Sequence, residues 1–170
     1  MVKIIAHRGF WLMSEEMNTE VAFNRALKAG FGIETDVRDF NEELVISHGI
    51  PISVGYSFEE FLLLYVDLSH NIEHPPCLAI NIKSDGLQNK INSLLEKYQI
   101  KNYFLFDMSV PDTLGFIAKN LTAFSRVSEL EGNDTLNEIS DGVWLDQFYD
   151  NWYDGDFIIR LVEKYNKVCI

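Results

Sequence analysis

The chain is poor in cysteine and proline. It has two cysteines, Cys77 and Cys169, and four scattered prolines among 170 residues. Two distant cysteines form no CxxC pair and no metal-type spacing, which argues against a disulfide scaffold or a cysteine-ligated zinc site and predicts ordinary thiols in a reducing compartment. Without a proline-rich, repetitive or linker-like segment, we expect one domain over residues 1–170.

Positive charge is also scarce. Lys and Arg number 14 against 26 Asp and Glu, so the formal net charge is −12 and the pI is about 4.6. This balance argues against nucleic acid or an anionic membrane as a general partner, because both attract basic surfaces. No segment approaches the roughly 20 apolar residues of a membrane span. We therefore expect a cytoplasmic protein without stable membrane insertion; the sequence does not predict its oligomeric state.

Apolar residues make up 47% of the chain, and they fall into short runs that alternate with helical patterns. Near-continuous apolar runs are typical of parallel strands covered on both faces. The candidate strands are Val2–Ala6, Gly32–Val37, Leu44–Ser47, Cys77–Ile82, Tyr103–Phe106, Leu121–Ser125, Gly142–Leu145 and Lys167–Ile170. Capping signals and apolar spacing predict helices from Asn18 or Thr19 to Ala29, from Ser57 to Leu68, over Leu87–Tyr98, from Ser109 to Asn120 and over Asp154–Tyr165.

Repeated βα units predict a parallel sheet, and about eight strands predict closure into a barrel. Because such barrels usually take about 250 residues, we expect a compact α/β TIM-type (β/α)8 barrel with reduced loops and helices. A doubly wound open sheet is the alternative. The glycine-rich first turn expected there is absent, since residues 7–10 contain only Gly9.

Seven polar residues collect where the first four candidate strands end: His7, Arg8, Glu34, Asp36, His48, Asn81 and Lys83. Residues two apart in a strand face the same side, so Glu34 and Asp36 share a face, as do Asn81 and Lys83. The carboxyl ends of parallel barrel strands meet at one rim, where barrel active sites lie. We therefore expect these side chains to meet.

This combination of side chains suits the cleavage of a phosphodiester. Two adjacent carboxylates resist joint ionisation unless a cation binds between them, and oxygen ligands favour Mg²⁺ or Ca²⁺. Arg8 and Lys83 suit a phosphoryl group. Two histidines supply an acid and a base near neutral pH.

The order of these motifs resembles that of the glycerophosphodiester phosphodiesterase family. The matching segments are Ile5-Ala6-His7-Arg8-Gly9, Asn18-Thr19 with Ala22-Phe23 and Ala26, Gly30, Ile33-Glu34-Thr35-Asp36-Val37 and His48, with a weaker echo at Leu78–Lys83. The resemblance is strong from Ile4 to about Pro51. Beyond that point only the βα rhythm agrees.

The resemblance implies a (β/α)8 barrel that holds one divalent metal ion and hydrolyses small alcohol phosphodiesters, an activity of lipid metabolism. It implies that His7 and His48 are the general acid and base and that Arg8 and Lys83 bind phosphate. The metal ligands it implies are Glu34 and Asp36, with Asn81 at the position of a third. The family mechanism uses the substrate's neighbouring hydroxyl as nucleophile and passes through a cyclic phosphate.

Two positions depart from the family pattern. Met17 stands where the family usually has glutamate, and Asn81 stands where the fourth strand usually carries a carboxylate. An amide oxygen ligates a hard cation without adding negative charge. We therefore expect weaker or altered metal binding, or recruitment of another acid, with Asp107 and Asp146 as the possible substitutes.

Two alternatives to this hydrolase stay open, the first because of Asn81 and the short chain, the second because relatives of the family share the same residues. One is a degenerate barrel that binds a phosphate ester without turnover, and the other is a phospholipase D-like enzyme that releases a cyclic phosphate. A further pattern, His70-Asn71-Ile72-Glu73-His74, fits a zinc-protease motif. Because Pro75 and Pro76 follow it directly and disfavour the required helix, we interpret it as chance.

Overall fold

The computed structural model describes residues 2–132, 134–149 and 151–170. The chain divides into two compact units, Met1–Phe104 and Leu105–Ile170. The single domain expected over residues 1–170 stays a prediction.

The first unit alternates strands and helices. Its elements are β1 (Ile5–His7), a 3-10 turn (Ser14–Glu16), α1 (Glu20–Lys28), β2 (Gly32–Phe40), β3 (Glu43–Ile46), α2 (Phe58–Ser69), β4 (Leu78–Ile82), α3 (Gln88–Lys97) and β5 (Tyr103–Phe106), within which the boundary falls. The sheet order is β1-β2-β4-β5, with β3 paired to β2 at the side. Both β1 and β4 run parallel to β2.

The prediction that the first four strands run parallel to one another is wrong for the third strand. β3 runs antiparallel to β2, with Val37 opposite Ile46 and Phe40 opposite Glu43. The reason is the connection, because two residues between Phe40 and Glu43 suffice for a hairpin but not for the crossover that a parallel pair needs. The chain then returns toward the middle of β2, where the amide of Ser47 donates to the carbonyl of Asp36 at 3.0 Å.

Aromatic packing forms much of the core of the first unit. Phe23 of α1 and Phe58 and Phe61 of α2 are fully buried, and the Phe23 and Phe61 rings lie 4.7 Å apart. α2 begins with the capping box predicted from the sequence: Ser57 and Glu60 each satisfy the other's backbone amide. These contacts hold α1 and α2 together behind β2 and β3.

The second unit contains α4 (Val110–Ile117), β6 (Phe124–Val127), α5 (Asp134–Ile139), β7 (Gly142–Leu145), α6 (Gly155–Lys164) and β8 (Val168–Cys169). Strands β6, β7 and β8 form a parallel sheet in that order. Val127, Val143, Leu145 and Leu161 form its core. The short helix α5 was not predicted, because its six residues contain only two apolar side chains, Leu136 and Ile139.

Two strand predictions were displaced by local hydrogen bonding. β6 was predicted over Leu121–Ser125 but begins at Phe124, because the amide of Leu121 donates to the carbonyl of Phe116 at the end of α4. β1 begins at Ile5 because only Ile5–His7 pair with β2. In the part of the chain that the structure describes, no helix is long and apolar enough to cross a membrane.

Candidate active site

The register of three strands assembles the polar cluster. His7 of β1 lies opposite Glu34 of β2, and Asp36 of β2 lies opposite Asn81 of β4. Glu34 and Asp36 are two residues apart and therefore face the same side. Lys83 follows β4 directly, and its amide donates to the carbonyl of Val37 at 2.9 Å. The predicted gathering of these side chains is thus present in the structure.

Asp36 is the centre of the cluster and is completely buried. Four groups surround its carboxylate: Asn18 Nδ2 at 2.8 Å, Arg8 Nε at 3.1 Å, His48 Nδ1 at 3.1 Å and Lys83 Nζ at 3.7 Å. Burial alone would raise its pKa, but the hydrogen bonds from His48 and Asn18 and the charge of Arg8 outweigh burial, so the pKa lies below its usual value. Asp36 is therefore an anion that organises three basic side chains.

Glu34 is also buried but has weaker partners. Its Oε2 accepts a hydrogen bond from the Arg8 amide at 3.0 Å, and its Oε1 accepts one from Asn81 Nδ2 at 3.3 Å. Burial first, and then the neighbouring charge of Asp36, raises the pKa of Glu34 to about 7. Near neutral pH without a bound cation, this carboxyl group is therefore only partly ionised.

The two histidines lie at the open side of the cluster, each with more than half of its side chain exposed. His7 Nε2 lies 3.9 Å from Glu34 Oε2. Burial, followed by the charge of Arg8, lowers the pKa of His7, so its imidazole is neutral at pH 7. A neutral imidazole is ready to accept a proton.

His48 stands between two neighbours that favour opposite tautomers. Its Nδ1 lies 2.8 Å from Arg8 Nη2, which only donates, and 3.1 Å from Asp36 Oδ1, which only accepts. Bonding to Arg8 leaves the proton on Nε2, whereas bonding to Asp36 leaves a lone pair on Nε2. The tautomer of His48 thus depends on which of these two neighbours its Nδ1 bonds.

The guanidinium of Arg8 lies beside the carboxylate of Asp36, and Met17 helps to explain this position. The sulfur of Met17 lies 3.8 Å from Arg8 Nη1 and is only a weak hydrogen-bond acceptor. Met17 offers no carboxylate to hold the guanidinium elsewhere. Arg8 adopts a left-handed backbone conformation with φ 55°, an uncommon state for a residue with a side chain.

Asn18 is a site residue that the sequence analysis treated only as a helix cap and a motif match. Its side chain does not cap α1. It donates to Asp36 and accepts from Thr35 Oγ1 at 2.9 Å, and its own φ is 59°. Asn18 therefore positions Asp36. The signal available in the sequence was its place in the Asn18-Thr19 motif.

Asn81 is the feature most relevant to a metal ion. Its buried Oδ1 has no hydrogen-bond partner among the described residues, although buried polar atoms are normally paired. That oxygen and the carboxylates of Glu34 and Asp36 form a donor set that suits a hard cation. Within the described ranges, no group of three or more His, Cys, Asp or Glu side chains is placed to hold a metal ion, so any site here depends on the amide.

Asp107 and Asp146 were expected as possible substitutes for the missing third carboxylate, but both contact Arg126 in the second unit. Asp107 forms an ion pair with Arg126, and Asp146 Oδ2 lies 3.3 Å from Arg126 Nε. The guanidinium is also stacked between Trp144 and Phe148, at 4.9 and 5.0 Å from the ring centroids. These contacts give Asp107 and Asp146 a structural partner.

The zinc-protease pattern at residues 70–74 does not lie on a helix, which confirms its interpretation as chance. α2 ends at Ser69, so His70 and His74 do not share one helix.

No protein-family model and no curated protein sequence matches the chain, whereas several solved structures do. A glycerophosphodiester phosphodiesterase from Parabacteroides distasonis superposes with a TM-score of 0.66 at 15% identity, covering 98% of this chain and 91% of its own. One from Agrobacterium tumefaciens gives 0.60 at 19% identity, covering 85% and 75%.

A phosphodiesterase from Oleispira antarctica, in complex with the product sn-glycerol-3-phosphate, gives a TM-score of 0.75 at 15% identity and covers 99% of this chain and 83% of its own. These likenesses confirm, at the level of the fold, the resemblance found in the sequence. The chain has the α/β fold of TIM-barrel type seen in the glycerophosphodiester phosphodiesterases.

Proposed function

We propose that the protein is a metal-dependent phosphodiester hydrolase that acts on glycerophosphodiesters or similar small alcohol phosphodiesters. The observation that carries this proposal is the placement of two histidines and two cationic side chains beside two carboxylates, Glu34 and Asp36. The fold supports it, and so does the structural neighbour that holds sn-glycerol-3-phosphate, a phosphate ester of glycerol.

Arg8 and Lys83 would bind the phosphoryl oxygens. These two cations lie beside the single ionised carboxylate of Asp36, and Glu34 is only partly ionised near neutral pH, so the cluster is locally more positive than the chain as a whole. A diester phosphate carries one negative charge. The cluster therefore attracts an anionic substrate although the chain as a whole is acidic.

Glu34, Asp36 and Asn81 would hold the divalent cation, Mg²⁺ or Ca²⁺. When bound, it would supply positive charge that stabilises the phosphoryl oxygens as charge develops on them. The Asn81 oxygen without a partner among the described residues and the raised pKa of Glu34 support this assignment, since a bound cation would give that oxygen a partner and would favour the charged form of Glu34.

His7 and His48 would move the protons. One imidazole removes the proton from the substrate hydroxyl next to the phosphate, and that oxygen attacks phosphorus. The other imidazole protonates the departing alkoxide, which leaves a cyclic phosphate that water then opens. When the phosphate draws Arg8 away from His48, the Nδ1 proton bonds to Asp36 and the Nε2 lone pair becomes the base.

We further propose a cytoplasmic location and a role in lipid metabolism, in which the substrate is a deacylated phospholipid.

A phosphate-ester-binding protein without turnover is the second candidate. The observation that favours it is Asn81, because the amide removes a negative charge from the site where the family has an acid. A phospholipase D-like enzyme that stops at the cyclic phosphate shares the same residues and is distinguished by its product.

The test is cleavage of glycerophosphocholine, which has a hydroxyl next to the phosphate, with EDTA, Mg²⁺, Ca²⁺ or Mn²⁺. We expect metal-restored activity, and His48→Ala should lower kcat by about 100-fold or more. The matched control is His74→Ala, an exposed histidine outside the cluster, which should keep full activity. Phosphorus NMR separates a linear monoester from a cyclic product.

Wild-type turnover in His48→Ala would overturn the proposed chemistry. No turnover with any metal, together with binding of glycerol-3-phosphate that depends on Arg8, would favour the binding protein.

A further inference from the structure

Thr35, between Glu34 and Asp36 in β2, carries a polar side chain that the proposed chemistry does not use. Strand alternation turns it away from the face that carries the two carboxylates. It shares its own face with Ile33 and Val37, and all three side chains are fully buried. A buried hydroxyl group costs free energy unless it forms a hydrogen bond, so the partner of Thr35 is informative.

That partner is Asn18. Thr35 Oγ1 donates to Asn18 Oδ1 at 2.9 Å, and Asn18 Nδ2 donates to Asp36 Oδ2 at 2.8 Å. The two hydrogen bonds use opposite ends of one side-chain amide group. Asn18 therefore bridges a hydroxyl group on one face of β2 and a carboxylate on the other.

The end of β1 leaves space for this bridge. β1 pairs with β2 as far as His7 opposite Glu34, and Arg8 then leaves the strand with a φ of 55°. The backbone amide of Asn18 donates to the carbonyl of Arg8 at 3.0 Å. The backbone of Asn18 is thus held beside β2 independently of the two hydrogen bonds of its side chain.

A held backbone does not by itself fix the side-chain amide of Asn18, which is partly exposed. With a hydrogen bond at one end only, the amide group can still turn about its side-chain bonds. Without the Thr35 hydroxyl, Asn18 Oδ1 would lack its donor, and the amide would gain hydrogen bonds by turning toward water. That rotation would draw Nδ2 away from Asp36.

The hydrogen bond from Asn18 matters because Asp36 organises the basic side chains of the site. Asn18 Nδ2 and Arg8 Nε both contact Oδ2 of Asp36, and His48 Nδ1 contacts Oδ1. The carboxylate is thus held on one side by Asn18 while its other oxygen faces the imidazole. A rotation of Asp36 would move both oxygens relative to Arg8 and His48.

We infer that Thr35 is a positioning residue of the site: through Asn18, its hydroxyl group fixes the carboxylate of Asp36 in the orientation that holds Arg8 and His48. The inference rests on the proposed function, since it concerns the residues that would bind phosphate and move protons.

The experiment removes the hydroxyl group and the methyl group of Thr35 separately. Thr35→Val keeps the shape and loses the hydroxyl, whereas Thr35→Ser keeps the hydroxyl and loses the methyl. With glycerophosphocholine and the best divalent cation, Thr35→Val should lower kcat/KM by about tenfold or more, as the loss of a group that orients a metal ligand typically does, and Thr35→Ser should stay within about threefold of the wild type. A residue that only packs would give the reverse order.

The matched control is Thr113→Val. Thr113 is buried in α4, and its Oγ1 donates to the carbonyl of Ser109 at 2.9 Å, the same distance as in the Thr35 hydrogen bond. The control loses a comparable buried hydroxyl outside the site and should keep the wild-type kcat/KM.

A double-mutant cycle tests whether the hydroxyl acts through Asn18. Asn18→Gly removes the bridge, and glycine tolerates the left-handed φ of 59° at this position. In the Asn18→Gly background, Thr35→Val should have no further effect on kcat/KM. An equal further loss in that background, or wild-type kcat/KM in Thr35→Val alone, would overturn the inference and leave the proposed function standing.

NMR tests the bridge without turnover. In the wild type, the side-chain amide protons of Asn18 should exchange with water about tenfold or more slowly than those of the exposed Asn89. Thr35→Val should abolish this protection, and Thr35→Ser should keep it. If the wild type does not cleave glycerophosphocholine, the proposed function falls and this measurement decides the role of Thr35. Exchange at Asn18 as fast as at Asn89 in the wild type overturns the bridge, even where Thr35→Val does not fold.

Discussion

Replacing Glu34 with glutamine isolates the electrostatic cost of the buried carboxyl pair. The pKa of Glu34 rises from 4.5 to about 7 on folding. Because the folded-state pKa is the higher one, protonated Glu34 stabilises the fold below pH 4.5, and this contribution is lost as the pH rises through 7. From these two pKa values, the loss between pH 5 and pH 8 is roughly 2–3 kcal/mol.

The glutamine side chain fits the same place. Its oxygen accepts the hydrogen bond from the Arg8 amide, as Glu34 Oε2 does at 3.0 Å. Its amide nitrogen has an acceptor in the partnerless Oδ1 of Asn81 after that amide rotates. Glu34→Gln thus removes the titration with little change in packing.

The assay is urea unfolding at pH 5, 6, 7 and 8 in EDTA, followed by tryptophan fluorescence. The free energy of unfolding of the wild type minus that of Glu34→Gln should fall by roughly 2–3 kcal/mol across this range. The control is Glu59→Gln, at an exposed carboxylate whose pKa is lowered by Lys97, and its difference should stay flat above pH 5. A pH-independent difference for Glu34→Gln would refute the reasoning.

Three further predictions concern the metal site and the fold. Asn81→Asp should raise divalent-cation affinity by about tenfold or more by adding a third carboxylate, measured by calorimetric titration with Ca²⁺ and Mg²⁺; equal affinity would contradict Asn81 as a ligand position. Ser57→Ala removes the cap of α2 and should lower the free energy of unfolding by about 1 kcal/mol in urea unfolding. No change in that free energy would contradict a stabilising cap. Gly9→Ala should lower the free energy of unfolding by about 1–3 kcal/mol, because the φ of Gly9 is +83° and the new Cβ would lie 2.8 Å from Ala22 Cβ. Gly55→Ala, at a position with open space around it, should lower the free energy of unfolding far less. Equal losses in the two variants would argue against strain at Gly9.

Local signals accounted for most secondary structure. The apolar runs at β5 and β7 gave strands with the predicted bounds, and Ser57 with Glu60 marked the start of α2. These features depend on neighbours within a few residues, which a sequence displays directly. The short helix α5 lacked such a signal, and β6 was displaced because the end of α4 uses the amide of Leu121.

Residue alternation also predicted correctly that Glu34 and Asp36 share a face. It did not predict their different environments. Asp36 is surrounded by Arg8, His48 and Lys83 and keeps its charge, whereas Glu34 is buried with few compensating groups. These differences depend on which side chains from other strands reach each oxygen.

The sequence by itself determined the βα order, the identity of the polar residues and their resemblance to a phosphodiesterase site, because motif spacing and apolar periodicity are local properties. Only the tertiary structure decided that β3 turns back to carry His48 to Asp36, that Asn18 supports Asp36, and that the buried Oδ1 of Asn81 has no partner among the described residues. Strand register and side-chain contacts join residues far apart in the chain, and their free energies are set by burial and by neighbouring charges that exist only after folding.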